Sequence, residues 1–191
     1  MKKIFILLAS AFLYTAASAQ TTWTADKNHS NVKFTVTHLL VNDVDGTFKN
    51  FDATITATKP DFSDAKVSFT VQTASVSTEN ENRDKHLSSP DFFDVANKPT
   101  ITFTSTGITK TSDKHYAVKG NLTLVGVTKP VIFDLWYRGT ITNPMSKADD
   151  AGFQLTGVIK RSDFNFGSKF GAAMLSDEVT IKANGEFAKA K

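Results

Sequence analysis

The chain is 191 residues long, carries 22 Lys and Arg against 19 Asp and Glu, and contains no Cys. The missing Cys excludes disulfides and an N-terminal lipoprotein anchor. Lys2 and Lys3 fall in the first 19 residues, so the remainder holds 20 cations against 19 anions and is nearly neutral. Its scattered Lys and Arg do not form the basic patch that nucleic-acid binding requires.

Met1-Lys2-Lys3 opens the chain, Ile4 to Leu13 is almost unbroken apolar sequence, and small residues end at Ala17-Ser18-Ala19. A basic head, a short apolar stretch and an A-x-A site predict a cleaved secretory signal peptide over residues 1–19. The apolar run is shorter than the roughly 20 residues needed to cross a bilayer. Cleavage leaves 172 residues from Gln20, placed in the periplasm or outside the cell. That length supports an ordinary hydrophobic core without disulfides.

From there the sequence alternates with the period of half-buried strands. Val32, Phe34, Val36 and His38 share one face of Asn31 to His38, with Lys33, Thr35 and Thr37 on the other. Phe51, Ala53, Ile55 and Ala57 alternate with Thr, as do Val67, Phe69 and Val71 with Ser68, Thr70 and Gln72. The pattern returns at Ile101-x-Phe103, from Tyr116 to Leu124, at Val131-x-Phe133-x-Leu135, from Phe153 to Ile159, and from Val179 to Ala183. Thr, β-branched and favoured in strands, supplies much of the polar face. Asp45-Gly46, Lys59-Pro60-Asp61, Thr111-Ser112-Asp113 and Asn143-Pro144 mark turns. About eight strands joined by short turns predict one all-β domain over residues 20–191, an antiparallel meander closed into a barrel.

Two stretches break the alternation. Thr78-Glu79-Asn80-Glu81 reads as a T-x-x-E capping box opening a short helix through Arg83, Asp84, His86 and Leu87. Ser88-Ser89-Pro90 stops it. The segment from Asp163 to Ser176, with Phe164, Phe166, Phe170 and Met174, reads as a loop or brief helix around Gly167 and Gly171.

Catalytic and metal signatures are missing. His29, His38, His86 and His115 have no H-x-x-x-H or H-E-x-x-H spacing, so no metal site is expected. His38, on an apolar strand face, is expected to be a hydrogen-bonded core residue. No G-x-S-x-G elbow or nucleotide-binding loop occurs, and neither a cofactor nor an enzymatic activity is expected. Arg83-Asp84-x-His86 is the densest polar cluster. It reads as an Arg–Asp and His network pinning the helix to a barrel end, or as a pocket mouth facing a planar anionic or carbonyl head group. Of the 16 Phe, 14 lie beyond Ala19. They suit a packed core and a ligand cavity equally, because sequence does not show the space between side chains.

The order of several motifs resembles the YceI-like family of polyisoprenoid-binding proteins. Trp23-x-x-Asp26-x-x-His29-Ser30 is similar to its opening strand, and His38 followed by Gly46-x-Phe48 to its second landmark. Arg83-Asp84-Lys85-His86-Leu87, Asp91-Phe92-Phe93-Asp94-Val95 and Pro99-x-Ile101-x-Phe103 form the most specific stretch. Gly120 to Lys129 and Arg161-Ser162-Asp163-Phe164 complete the series. Asn165 stands where the family usually has Gly, and Asn tolerates positive φ better than most residues.

The resemblance implies an extended lipocalin-like barrel of eight strands with an internal tunnel for a long prenyl-chain lipid, quinone-like lipid or fatty-acid derivative. Such a cargo implies transient contact with a membrane. On inward alternation the tunnel wall comprises Phe34, Val36, Phe69, Val71, Phe103, Leu122, Leu124, Phe133 and Leu135. The family motifs add His38, Phe48, Phe93, Arg83 and His86, and the irregular segment adds Phe164 and Phe170 near the mouth. A fatty-acid or fatty-amide carrier in a stress response, a lipid-modifying enzyme using His86 and Arg83, and a filled barrel with a structural role are the competing expectations.

Overall fold

The structure, a computed structural model, describes residues 19–190. The basic start and apolar run of the expected signal peptide lie outside them.

Eleven strands make one antiparallel sheet: β1 (Thr21–Ala25), β2 (Asn31–His38), β3 (Asn42–Phe48), β4 (Phe51–Ala57), β5 (Lys66–Gln72), β6 (Val76–Ser77), β7 (Thr100–Ser112), β8 (His115–Leu124), β9 (Val127–Thr142), β10 (Asp149–Lys160) and β11 (Leu175–Lys189). They amount to eight staves, because β1–β2, β3–β4 and β5–β6 are each one strand interrupted by a corner. At the first corner Asp26 caps a 3-10 turn over Lys27–His29. A second 3-10 turn over Thr73–Ser75 divides β5 from β6.

The staves follow one another in chain order, and the last closes on the first. β11 pairs with β2 from Leu175↔His38 to Asn184↔Asn31, then with β1 from Ala25↔Phe187 to Trp23↔Lys189. An eight-stave barrel is wide enough to be filled by side chains or to hold one small ligand. Inward residues are mostly apolar, whereas Lys33, Lys66, Asp134 and Lys182 are exposed outside. That is the reverse of the lipid-facing wall of a membrane-spanning barrel.

Up-and-down order puts the β2–β3, β6–β7, β8–β9 and β10–β11 connections at one end, called here the mouth, and the remaining connections at the base. The base is plugged. Phe62, from the β4–β5 connection, is buried and packs on Trp23, Tyr137 and Phe153, with ring centroids 5.4, 4.9 and 4.9 Å away. The Tyr116 hydroxyl donates to the Asp61 carbonyl and holds the plug in place.

At the mouth, β6 pairs with β3 alone, and residues 78–99 span the gap to β7. This segment contains α1 (Glu81–Leu87). The expected T-x-x-E box is corrected here: Asn80, not Thr78, is the N-cap, its side chain accepting from the Arg83 backbone N–H at 3.0 Å. Glu79 takes φ 58°, which turns the chain between Thr78 and the helix. Thr78 is buried and bonds Asp84 instead. A 3-10 turn, Arg161–Phe164, ends β10, and Asn165 closes it in the left-handed region at φ 56°. Asn does there what Gly does elsewhere.

Candidate functional site

Between the plugged base and the mouth lies a cavity of about 390 Å³. Its volume falls within the range of small-molecule sites, about 300–1,000 Å³. The apolar floor comprises Phe153 and Phe187, packed edge to face at 5.5 Å above the plug.

Fourteen of the sixteen residues expected from sequence line this cavity. Phe34, Val36 and Phe48 come from β2 and β3, and Phe69 and Val71 from β5. Leu122, Leu124, Phe133 and Leu135 come from β8 and β9. Nearer the mouth are His38, Arg83, His86, Phe93 and Phe170.

Phe103 and Phe164 are corrections. Phe103 is 0% exposed and lies flat over Gly120, where an added Cβ would sit 2.3 Å from its ring. Phe69 stacks on it at 5.2 Å and presents the inner surface in its place. Phe164 is buried in the Arg161–Phe164 turn, off the lining. His38 is a third correction: it is exposed at the mouth, not a bonded core histidine, because β2 ends there.

The space exists because large rings lie along the wall. Phe34 in β2 faces Gly46 in β3, and Phe133 in β9 packs over Gly157 in β10. Added Cβ atoms at these glycines would meet the rings at 2.1 and 2.4 Å. Each glycine thus gives a neighbouring ring a place against the sheet, leaving the middle of the barrel open.

Polar lining side chains gather in two places. At the corner between β1 and β2, Asn184 donates to Asn31 at 3.2 Å and accepts from Gln154 at 2.7 Å. At the mouth are His38, Thr78, Arg83, His86 and Arg161. Arg83 and Asp84 do not pair directly but converge on Thr78. The Arg83 Nε donates to Thr78 Oγ1 and its Nη2 to the Thr78 carbonyl, both at 2.7 Å, while Thr78 donates to Asp84. Arg83 Nη1 has no partner among the described residues. No buried side-chain nitrogen or oxygen among them lacks a hydrogen bond, so the walls offer an apolar guest surface and the mouth offers donors.

Two connections meet over the mouth. The Phe92 ring stacks on Phe170 at 5.0 Å, His86 packs edge-on to Phe92 at 5.1 Å, and Phe93 meets Phe166 at 4.7 Å. Lys169 pairs with Asp91, and His86 Nε2 lies 3.7 Å from the same carboxylate. The hydrogen bond from Lys169 holds the Asp91 carboxyl below the usual carboxylate range.

Arg161, 5% exposed, fixes the β10–β11 connection. Its guanidinium donates to the carbonyls of Ser176, Phe166, Gly167, Phe170 and Leu175. Sequence reasoning did not assign that role. The signal was present: Arg161 continues the inward series Phe153, Leu155, Gly157, Ile159. Ile55, Val67, Leu155, Ile159 and Ile181 also line the cavity and follow the same alternation. Phe92, Phe166 and Met174 line it from irregular segments with no period to reveal them.

A second polar group lies outside, at the base-side corner. Asp26, His29 and Glu186 approach one another within 4.8 Å, and Asp26 already accepts from the Asn28 backbone and the His29 ring. The hydrogen bond to Asp26 raises the His29 pKa. This arrangement caps the corner.

Comparisons with known proteins agree with this architecture. A YceI-like domain model matches residues 23–187. Protein YceI of Salmonella newport (strain SL254) is 39% identical over 180 residues, covering 93% of each chain. The crystal structure of the Campylobacter jejuni YCEI protein superposes with a TM-score of 0.74 at 33% identity, over 81% of this chain and 90% of that one. A polyisoprenoid binding domain from Saccharophagus degradans, implicated in plant cell wall breakdown, shares the fold with a TM-score of 0.67. Its identity is 15%, over 88% of this chain and 98% of that one.

Proposed function

The chain belongs to the YceI-like domain family, and from that premise we propose that it is an exported binding protein carrying a long-chain prenyl lipid, such as a polyprenol or prenyl quinone. The cavity of about 390 Å³, apolar along its walls and plugged at the base by Phe62, carries this reading. The polyisoprenoid binding domain of the same fold supports the choice of prenyl chain.

Burial contributes about 0.8 kcal/mol per methylene taken from water. Ordering a flexible chain and losing its overall freedom offset much of that, and affinity saturates well below the simple sum. Apolar walls therefore suffice for binding. The polar end rests at the mouth, where Arg83 Nη1 and the His86 ring meet a carbonyl or phosphate oxygen. In this reading the protein holds and releases its ligand without changing it.

The test is native mass spectrometry of protein purified from its own host, followed by organic extraction. The reading expects a bound mass that extraction releases as a prenyl chain. A fatty acid or fatty amide in its place would overturn the choice of ligand class. No extractable lipid, together with no uptake of added solanesol, would overturn the binding function itself.

A further inference from the structure

The β2–β3 turn is built against the usual chemistry of a hairpin tip. Leu39, Leu40 and Val41 are 51, 68 and 83% exposed. Leu39 and Leu40 take φ of 52° and 60°, and the Val41 N–H closes the turn on the His38 carbonyl at 3.2 Å. Two successive positive φ values at the centre of a hairpin turn ordinarily select Asn-Gly or Asp-Gly. Here branched apolar side chains occupy both positions, at a conformational cost, and point into solvent.

The tip adjoins the cavity. The Leu39 N–H donates to the Met174 carbonyl at 3.0 Å, and Met174, itself 48% exposed, lines the cavity alongside His38. The apolar tip therefore adjoins the rim of the cavity at Met174. Phe62 closes the opposite end, which leaves the mouth, where this tip stands, as the way into the cavity.

We propose that Leu39, Leu40, Val41 and Met174 form a membrane-contacting edge that seats the barrel mouth on a bilayer, so that the ligand passes between bilayer and cavity without crossing water. This rests on the lipid-binding reading and names the surface through which it operates. Three side chains on a convex tip and one beside it fall far short of the roughly 20–30 residues a side that a stable protein interface buries. A tip of that shape suits a deformable apolar medium. No Lys or Arg lies between Phe34 and Asn42, and on the flanking strands Asp43 and Asp45 accept from Thr37 and Thr35. The tip itself therefore makes its contact through apolar groups.

The experiment uses vesicles of phosphatidylcholine and phosphatidylethanolamine, plain or loaded with solanesol, with the full mature chain and its Leu40→Asp and Val41→Asp variants. Flotation on plain vesicles reads docking, and solanesol uptake from vesicles against uptake from detergent micelles reads transfer. The unsubstituted protein floats on these vesicles, which carry no anionic lipid. Each variant loses about tenfold in vesicle partition, as expected for withdrawing one apolar side chain from the bilayer. Each also slows in uptake from vesicles, with melting temperature and uptake from micelles unchanged. Variants that float like the parent, or a parent that does not float, would overturn the edge. A parent that sediments as a dimer, dissociated by Leu40→Asp, would assign the tip to a second copy of the chain and also overturn it. Absence of solanesol uptake from either source would instead sink the binding function, while flotation would still decide the edge.

Discussion

Replacing Gly46 with Ala separates the cavity from the stability of the wall around it. A methyl group at Gly46 would lie 2.1 Å from Cζ of Phe34 and 2.4 Å from its Cε1, and the three nearest atoms all belong to that ring. Phe34 is only half-buried and borders the cavity, so the ring swings off the sheet into open space. An apolar void of about 150 Å³ holds a benzene molecule, so the displaced ring removes on the order of a third of the 390 Å³. At about 0.8 kcal/mol per methylene, excluding some four or five methylenes costs on the order of 3–4 kcal/mol, or two to three orders of magnitude in Kd. Folding changes little, because Ala fits a strand better than Gly by about 0.5–1 kcal/mol. That gain offsets part of the ring's lost packing.

Gly120→Ala is the control. There the new methyl meets Phe103 at 2.3 Å and the Thr104 carbonyl oxygen at 2.6 Å. Phe103, held between Phe69 and Phe133 with centroids 5.2 and 5.3 Å away, has nowhere to go. Overpacking of this kind costs about 1–3 kcal/mol, or about 2–12 °C in Tm for a domain of this size. Calorimetry of delipidated protein and equilibrium titration with solanesol distinguish the two variants. Solanesol binding by Gly46→Ala equal to the parent, or a Tm loss matching Gly120→Ala, would refute the account of how the wall keeps its space.

Val71→Trp and Val36→Trp place bulk directly in the cavity. Delipidated protein should lose less than the ~1–3 kcal/mol of an overpacked core while co-purified lipid disappears, and strong destabilisation at both sites would contradict an open barrel. Arg83→Ala should weaken binding of a prenyl quinone about fivefold, one hydrogen bond's worth, while binding of squalene, which has no polar head, stays unchanged. Equal losses for both ligands would make Arg83 purely structural through Thr78. The raised pKa of His29 means its pairing with Asp26 stabilises fully below the ordinary histidine value of about 6.5. That contribution is lost as pH rises through the raised value. The Tm difference between parent and His29→Ala should therefore shrink on going alkaline, and a difference that grew would reverse the assignment. Processing of the full chain should leave Gln20 or a close neighbour as the first residue, and N-terminal sequencing of soluble cytoplasmic protein that returned Met1 would contradict export.

Much of the wall was legible because inside and outside differ so sharply. The alternation of Asn31–His38 and Phe51–Ala57 coincides with β2 and β4 end to end. The Ile101-x-Phe103 signal, by contrast, covers a fraction of β7, which runs on to Ser112. Beyond Ile108 its residues are exposed on both faces, and alternation has nothing to record there. The Thr78 box misled because T-x-x-E matches a local pattern, whereas the cap went to Asn80 once Thr78 was drawn inward by Asp84 and Arg83. His38 misled in the other direction. Its strand face is apolar, but the strand ends at the mouth.

The cavity itself was not legible, since it depends on which residues face each other across strands. Phe34 and Gly46 are twelve positions apart in sequence, and only the register of β2 against β3 joins them. The same holds for Phe133 and Gly157 across β9 and β10. A composition rich in Phe fits a solid core when the rings point to the centre, and a hollow one when glycines let them lie flat. Arg161 completes the distinction at the mouth. A buried guanidinium without a carboxylate partner is costly unless its donors are satisfied, and five backbone carbonyls satisfy them. Those carbonyls belong to the segment carrying Phe166, Phe170 and Met174. The charge that would be out of place in a filled barrel thus holds the apolar rim in position over an open one.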